Sequence, residues 1–394
     1  MLLLLAFLLV LELLTFLVLR EHFLSQSKLK FYISIIINAA LSIWLWSILL
    51  RIIFFKGNFD TPDNIRIRMN LTGLILAVLI PGFITVFLHY TGRLFRLRKK
   101  GYVIWLTRTG MIISCLIIFV VGISSFFGRF NFKTENVEVK IAGLDPALEG
   151  MKIVHLSDMH LASFRKHERK LEKVIEEVNG MEPDLILNTG DFISYGWREF
   201  GRCDTILSKS KSRYGNFAVL GNHDMGTYFP VSTGDDKPAI AARMKDLISA
   251  SGYRLLDNEN TILNIRGVNV AIAGVETSGR FPGIIHTDPG PAMKGTDSAA
   301  LRILLIHDPN QWKQDVCGKV NAELTLAGHT HGMQIGIITK KIRWSPARRI
   351  YPEWNGLYSC DGQKLYVNRG LGVLATPFRI WMPPEITVIT LKSL

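Results

Sequence analysis

Four runs of apolar residues fall within the first 127 positions: Met1–Leu19, Phe31–Phe55, Leu71–Tyr90 and Tyr102–Phe127. Each is long enough to cross a bilayer as a helix. In lipid, every backbone N–H and C=O must be satisfied inside the protein, so a lone spanning segment is helical. The first run lacks a positively charged start and a small-residue cleavage site, and three similar runs follow. It therefore reads as a retained helix rather than a secretion signal. Residues 1–130 are thus expected to form a four-helix transmembrane region of a multi-pass protein of the cell membrane, in contact with membrane lipids. Glu12 lies inside the first run. It is either a proton or ligand contact or a residue at a helix interface, the second being at least as common. Trp44, Trp46 and Trp105 fit interfacial or helix-packing roles.

Charge follows the same division. Up to Arg129 there are 14 Lys and Arg against 4 Asp and Glu, whereas the rest of the chain has 32 against 29. The excess positive charge thus sits beside the apolar runs. A nucleic-acid-binding domain would carry it on a folded face, so nucleic acid is not an expected partner. The segments Arg20–Lys30 and Thr91–Gly101 are both net basic and lie on one side of a four-helix path. By the positive-inside rule that side is cytoplasmic, and residues 131–394 are extracytoplasmic. The second connection carries Arg51, Lys56, Arg66 and Arg68 against Asp60 and Asp63, which leaves the cytoplasmic alternative open. None of Cys115, Cys203, Cys317 and Cys360 forms a CxxC pair, so a thiolate zinc site is not expected.

After Phe130 the pattern changes. "NVEVKIAGL" alternates as a strand does, and Arg165–Asn179 is a charged amphipathic helix. A helix is expected near Ile240–Ala250, a hairpin-like region over Tyr253–Glu276, and two closing strands. Five short apolar strands share one grammar, in that each runs into a polar cluster. The clusters are Asp158 and His160, then Asp191, then Asn222, His223 and Asp224, then His307, then His329 and His331. In sheet-and-helix proteins, ligands bind where the chain leaves the carboxyl ends of strands. If these strands share sheets, the clusters converge.

The residue types suit a pair of metal ions. Asp158 and His160 offer an oxygen and a nitrogen two residues apart, and Asp191 can give one oxygen to each of two cations. Asn222 supplies a neutral oxygen, while His307, His329 and His331 supply nitrogens. Two divalent ions about 3.5–4 Å apart suit in-line displacement at phosphorus. Asp158 or His160 alone would be an ordinary loop pair and Gly190-Asp191 a common turn, whereas "GNHD" alone already carries some signal. All five in this order, each at a strand end, are improbable by chance.

These fragments, "DMH", "GD", "GNHD", "IH" and "GHTH", resemble the motifs of the calcineurin-like metallophosphoesterases over roughly Val137–Leu394. The late "YVNRGLG" and "PPEITVITL" are similar to a branch with secreted or membrane-tethered phosphodiesterases, some acting on UDP-2,3-diacylglucosamine. The resemblance implies an α/β domain over 131–394, a four-layer α/β/β/α sandwich, and a metal-dependent phosphoric ester hydrolase. It assigns Asp158, His160, Asp191 and His331 to one metal, and Asp191, Asn222, His307 and His329 to the other. His223 would donate a proton to the leaving oxygen or stabilise the phosphoryl group, with Asp224 orienting it. Mixed nitrogen and oxygen ligands suit Mn, Fe, Zn or Co.

The expected substrate is a phosphodiester or pyrophosphate, with lipid-linked compounds favoured by the membrane spans. The alternatives are a phosphoprotein or nucleotide phosphomonoesterase, and a non-catalytic membrane scaffold. Arg280, in a loop that also holds Phe281, Ile284, Ile285 and His286, and Arg369, in "NRGLG", are candidates for substrate contact. His155 reads as a core or supporting residue, His22 and His89 as helix-end residues, and His167 as exposed. The basic, aromatic stretch Lys340–Trp354 would face either anionic headgroups or solvent.

Overall fold

A computed structural model describes residues 2–24, 26–54, 57–95, 102–229, 236–339 and 341–394. Residues 96–101 of the basic Thr91–Gly101 segment, Lys56 of the second connection, and Lys340 lie outside the described residues. The chain forms two compact units. One comprises Met1–Gly57, Ile67–Phe127 and Ala375–Phe378, and the other Asn58–Arg66, Gly128–Leu374 and Arg379–Leu394. The boundary expected near residue 130 is therefore crossed twice more, by a loop that joins the second unit and a short segment that joins the first.

Among the described residues the first unit holds four helices, α1 (Leu2–Phe23), α2 (Lys28–Ile53), α3 (Pro62–Leu94) and α4 (Tyr102–Phe126). Four helices stand where four spans were expected. Among the described residues, however, three are long and apolar enough to cross a membrane: Lys28–Ile53, Pro62–Leu94 and Tyr102–Phe130. α1 carries Glu12 midway, and the side chains of its Leu2 and Leu4 lie outside the described residues. Leu8, Leu45, Leu49 and Leu74 pack as a small core. Ile36, Ile43 and Phe119 remain mostly exposed, as lipid-facing side chains do. Polar groups pair between helices. Trp46 Nε1 donates to both Glu12 oxygens at 3.1 and 3.3 Å, which gives Glu12 a helix-interface role. Thr85 and Ser114 hydroxyls lie 2.9 Å apart, and Ser114 also donates to the Pro81 carbonyl.

The second unit is built on two six-stranded sheets. Its strands are β1 (Lys133–Ile141), β2 (Lys152–Leu156), β3 (Leu185–Asn188), β4 (Asn216–Ala218), β5 (Arg254–Leu255), β6 (Glu259–Ile265), β7 (Val268–Gly274), β8 (Thr277–Arg280), β9 (Gly283–His286), β10 (Leu301–Leu305), β11 (Leu324–Ala327), β12 (Ile337–Ile338), β13 (Arg343–Trp344), β14 (Gly356–Cys360), β15 (Gln363–Val367) and β16 (Glu385–Ser393). The first sheet runs β1-β16-β2-β3-β4-β5 and the second β14-β15-β11-β10-β7-β6. The central strands β2, β3 and β4 are mutually parallel, as are β7, β10, β11 and β15. β8 and β9 form a separate antiparallel hairpin.

Alternation explains the layers. Ile153, Leu185, Leu187 and Phe217 face Ile272, Ile303, Leu305 and Leu324 between the sheets. Val154, Ile186 and Ala218 point the other way, onto Leu171, Val174 and Val178 of helix α5 (Glu168–Gly180) and Met244 and Ile248 of a helix spanning Asp236–Ala250. Ala273, Leu304 and Ala327 cover the far face of the second sheet with Trp312 and Val316. The order helix, sheet, sheet, helix-and-turn is the expected sandwich. A disulfide joins Cys317 to Cys360, while Cys203 is free and buried.

Candidate metal centre

Parallel order brings the carboxyl ends of β2, β3, β4, β10 and β11 to one edge of the sandwich, and the side chains there turn inward from unusual backbone. Asp158, His160, Asp191, His329 and His331 all have positive φ, between 39° and 70°. Each such residue costs about 1–3 kcal/mol and persists only where its surroundings fix it. Here they do. Asp158 N donates to Gly190 O, His160 N to Asp191 O, and His329 N to the Asp158 carboxylate. Glycine is needed where strands converge this closely. A Cβ on Gly221 would stand 2.2 Å from Asp191 Oδ1, and one on Gly328 would stand 2.3 Å from Asp158 Oδ2.

Two groups of ligand atoms result. Asp158, His160 and His331 each offer an atom within 4.8 Å of the others, and so do Asp191, His307 and His329. His160 Nε2 lies 3.0 Å from His331 Nε2, and His331 Nε2 lies 3.2 Å from Asp158 Oδ1. In the second group, His329 Nδ1 is 3.1 Å from His307 Nε2. Asp191 Oδ2 stands between the groups, 3.2 Å from His307 Nε2 and 3.8 Å from His160 Nε2. The structure thus brings all seven expected ligand residues except Asn222 into these two groups. Asn222 is buried in the turn that follows β4; its Oδ1 has no hydrogen-bond partner among the described residues, and its amide nitrogen donates to Tyr228 Oη at 3.3 Å.

The donor set fits cations. His160 Nδ1 lies 3.0 Å from the Ile193 carbonyl and His307 Nδ1 lies 2.7 Å from the Thr189 carbonyl. Both Nδ1 atoms must therefore carry hydrogen, which leaves each neutral Nε2 lone pair aimed at the cluster. Lone pairs facing two carboxylates and an orphaned amide oxygen call for positive charge at their centre. The proton affinities divide, since a proton on His307 Nε2 competes with a cation for the same lone pair while His329 stays neutral. Burial pulls His307 down, but the Asp191 charge and hydrogen bond reverse this and push it up to about 10. Burial pulls His329 down to about 4. Burial would raise the Asp158 carboxyl, yet His331, His307 and His160 hold it well below the carboxylate range.

His223 adjoins this centre. Its ring is 5.2 Å from that of His160, and its Nδ1 lies 2.5 Å from the Ser194 carbonyl, so Nε2 is the atom left for a ligand. Tyr228 stacks on it at 4.0 Å. Asp224 does not orient His223, contrary to expectation. Its carboxylate accepts from the backbone N–H groups of Asp191, Gly221 and Ile193 and braces the turn that carries Asp191. Arg369 is likewise withdrawn from substrate. It is buried, pairs with Glu385 at 3.0 Å and Glu135 at 2.7 Å, and has no charge to spare for a phosphate. Arg280 sits on the β8–β9 hairpin with its guanidinium 5.1 Å over Tyr228, beside exposed Phe281 and Ile285. His155 bonds Thr189 within the core.

Other groups serve the site without any sign in the sequence. Buried Glu199 accepts from the N–H groups of Ser194, Tyr195 and Gly196 and so shapes the loop that holds His223. Tyr351 Oη meets His329 Nε2 at 2.9 Å. Arg379, fully buried, donates to the Arg369, Gly370 and Gly372 carbonyls and lies 3.2 Å from His331 Nδ1.

A two-sheet sandwich with Asp and His clusters at its strand ends defines a class: metal-dependent phosphoric ester hydrolases. The sequence profile of the calcineurin-like phosphoesterases matches residues 151–333. A metallophosphoesterase of Bacillus subtilis (strain 168), YkuE, described as uncharacterized, is 30% identical over 276 residues, covering 69% of this chain and 90% of its own. The chain belongs to the calcineurin-like phosphoesterase family, whose members use divalent metal ions. A transmembrane protein with metallophosphoesterase domain from Danio rerio is 27% identical, covering 71% of this chain and 62% of its own. The UDP-2,3-diacylglucosamine pyrophosphatase LpxG of Chlamydia muridarum is 27% identical, covering 61% of this chain and 84% of its own. Among solved structures, TT1561 of Thermus thermophilus aligns with a TM-score of 0.33 at 16% identity, over 56% of this chain and 90% of that one. With its apolar helices, the chain is a membrane-bound hydrolase of phosphoesters.

Proposed function

We propose that this protein is a membrane-anchored, dinuclear phosphoesterase that cleaves phosphodiester or pyrophosphate bonds of lipid-linked substrates. The observation that carries the two-ion reading is Asp191 Oδ2, placed between His160 of one ligand group and His307 of the other. Asp158, His160, His331 and Asp191 would hold one ion, and Asp191, Asn222, His307 and His329 the other. Bound there, two divalent ions supply Lewis-acid polarisation of the phosphoryl group and activation of the attacking water. The chain's own residues do the rest. Asp191 and Asp158 bring the negative charge that retains the ions. His223, tied at Nδ1 to the Ser194 carbonyl, presents Nε2 to the leaving oxygen and handles its proton there. Tyr228 fixes the plane of that ring.

A lipid-linked substrate is supported by the apolar helices, by Phe281 and Ile285 beside Arg280 on the hairpin, and by the UDP-2,3-diacylglucosamine pyrophosphatase activity for which the LpxG relatives are named. An extracytoplasmic catalytic unit is supported by the Cys317–Cys360 disulfide, since such bonds persist in oxidising compartments. The division of labour we infer is membrane anchoring by residues 1–130, apart from Asn58–Arg66, and catalysis by 131–394 together with that segment.

The test is hydrolysis of bis(p-nitrophenyl) phosphate by the full chain in micelles with added Mn²⁺. Turnover that a chelator abolishes is expected; absence of chelator-sensitive turnover on this diester and on lipid pyrophosphates would favour a scaffold. Sidedness is read from Glu138→Cys in a background lacking Cys115 and Cys203. Labelling by an impermeant thiol reagent on intact cells is expected, and labelling only after lysis reverses the assignment.

A further inference from the structure

We infer that Asn58–Arg66, the end of the α2–α3 connection and the start of α3, is a working part of the catalytic unit, and that Asp60 is a positioning residue for the reaction. This rests on the proposed role of His223.

The contacts form one chain. Asp60 is fully buried and accepts from Arg198 N at 3.3 Å and Arg198 Nη1 at 3.3 and 3.4 Å. Beside it, Phe59 meets the Tyr195 ring edge-on at 5.2 Å. Asp60 also explains Gly196. That residue has φ −155°, extended backbone that any residue adopts, yet a Cβ there would lie 2.4 Å from Asp60 Oδ2. Glycine is needed because the Asp60 carboxylate lies against it. The clamped stretch, Ser194–Arg198, is the one whose Ser194 carbonyl takes the His223 Nδ1 hydrogen and whose Ser194 Oγ lies 3.1 Å from His160 Nδ1. On its other face Glu199 gathers the three N–H groups of Ser194–Gly196. The loop is therefore held from two sides, and one side is a carboxylate 138 residues upstream.

Asp63 makes a second tie. Its Oδ2 accepts from Arg165 Nη2 at 2.9 Å and Arg165 Nε at 3.1 Å, just past the turn that starts at His160. The residues that offset the basic charge of this connection in the sequence are thus the ones used on the catalytic unit. Without Asp60, the Arg198 amide loses its acceptor and the loop that carries the Ser194 carbonyl is held from the Glu199 side alone. Misplacement of a reacting group by about 1 Å can cost around 10²-fold in rate.

The experiment compares the full chain with Asp60→Ala, Asp60→Asn and Gly196→Ala in micelles. It measures kcat and KM on bis(p-nitrophenyl) phosphate, bound metal, and amide hydrogen exchange over residues 192–200. Expected for Asp60→Ala is a kcat lower by about 10- to 100-fold, with KM within about twofold, metal content unchanged and faster exchange over Ser194–Gly196. Asp60→Asn keeps an acceptor for Arg198 N and should recover most of the rate, while Gly196→Ala should mimic Asp60→Ala. A kcat close to wild type, a loss that tracks metal content and is cured by excess Mn²⁺, or unchanged exchange would overturn the inference. If the wild-type chain itself proves inactive on phosphoesters, the function proposed above fails, whereas the exchange measurement still judges the Asp60 clamp. Should Asp60→Ala not fold, Asp60→Asn and Gly196→Ala carry the test.

Discussion

The two units handle buried polar groups in opposite ways. In the helical unit they occur as small local groups, such as Glu12 with Trp46, Thr85 with Ser114 and the Pro81 carbonyl, and His89 with Thr107 and Glu21. In the catalytic unit they converge. Asp158, His160, Asp191, Asn222, His223, His307 and His331 are all buried at one edge, and Asn222 Oδ1 finds no hydrogen to meet it among the described residues. Such local groups join helices where lipid offers no hydrophobic drive. Groups left unsatisfied together make a place that only an added charge completes. The difference separates a polar contact that holds a fold from one that awaits a ligand.

The largest effect should come from the residue where convergence is densest. Asp191→Ala removes the oxygen proposed to serve both ligand groups, and turnover should fall below detection together with the bound metal, measured by elemental analysis. Retention of both ions would show that the two groups do not depend on one oxygen. His223→Ala should slow turnover by about 10²–10⁴-fold with metal content nearly intact. Metal loss in that variant would move His223 from proton handling to ligation.

A smaller effect is expected at Glu199. Burial pushes its carboxyl up to about 8, against the N–H groups of Ser194, Gly196 and Tyr195. Between its ordinary value of 4.5 and about 8, the folded chain keeps a proton that the unfolded chain releases. Stability should therefore decline as pH rises through that window. Glu199→Gln should flatten the decline in thermal midpoint between pH 5 and pH 8, and an unchanged slope would mean that this group does not cause it. The smallest effect belongs to the helical unit. Trp46→Phe removes one interhelical hydrogen bond, worth roughly 0.6 kcal/mol by analogy with such bonds in membranes. The thermal midpoint should drop slightly with kcat unchanged. A large loss of activity would contradict the local character of the pair.

Much of this was legible from the residues. The apolar runs announced the helices, and the repeated pattern of apolar strand followed by Asp, Asn or His announced the site, because alternation and strand ends obey short-range rules. What escaped notice depends on distant or backbone partners. Arg369 looked available for phosphate because neither Glu385, 16 residues later, nor Glu135, 234 residues earlier, is near it in sequence. Asp224 lies next to His223 in sequence but not in function, because the imidazole finds a backbone carbonyl and carbonyls have no residue signature. Glu199 and Asp60 act on that same carbonyl's loop, and nothing in "SYGWREF" marks it as catalytic support. The cysteine pair, 43 residues apart, was one of several pairings open.

Membership of Asn58–Arg66 in one unit and Ala375–Phe378 in the other has a practical outcome for proteolysis. A single nick between Phe127 and Gly128 could not liberate the whole second unit, because the fragment beginning at Gly128 lacks Asn58–Arg66 and with it Asp60 and Asp63. Any soluble form made by such a cut, in a cell or in a laboratory expression vector, starts without its clamp on Arg198 and Arg165.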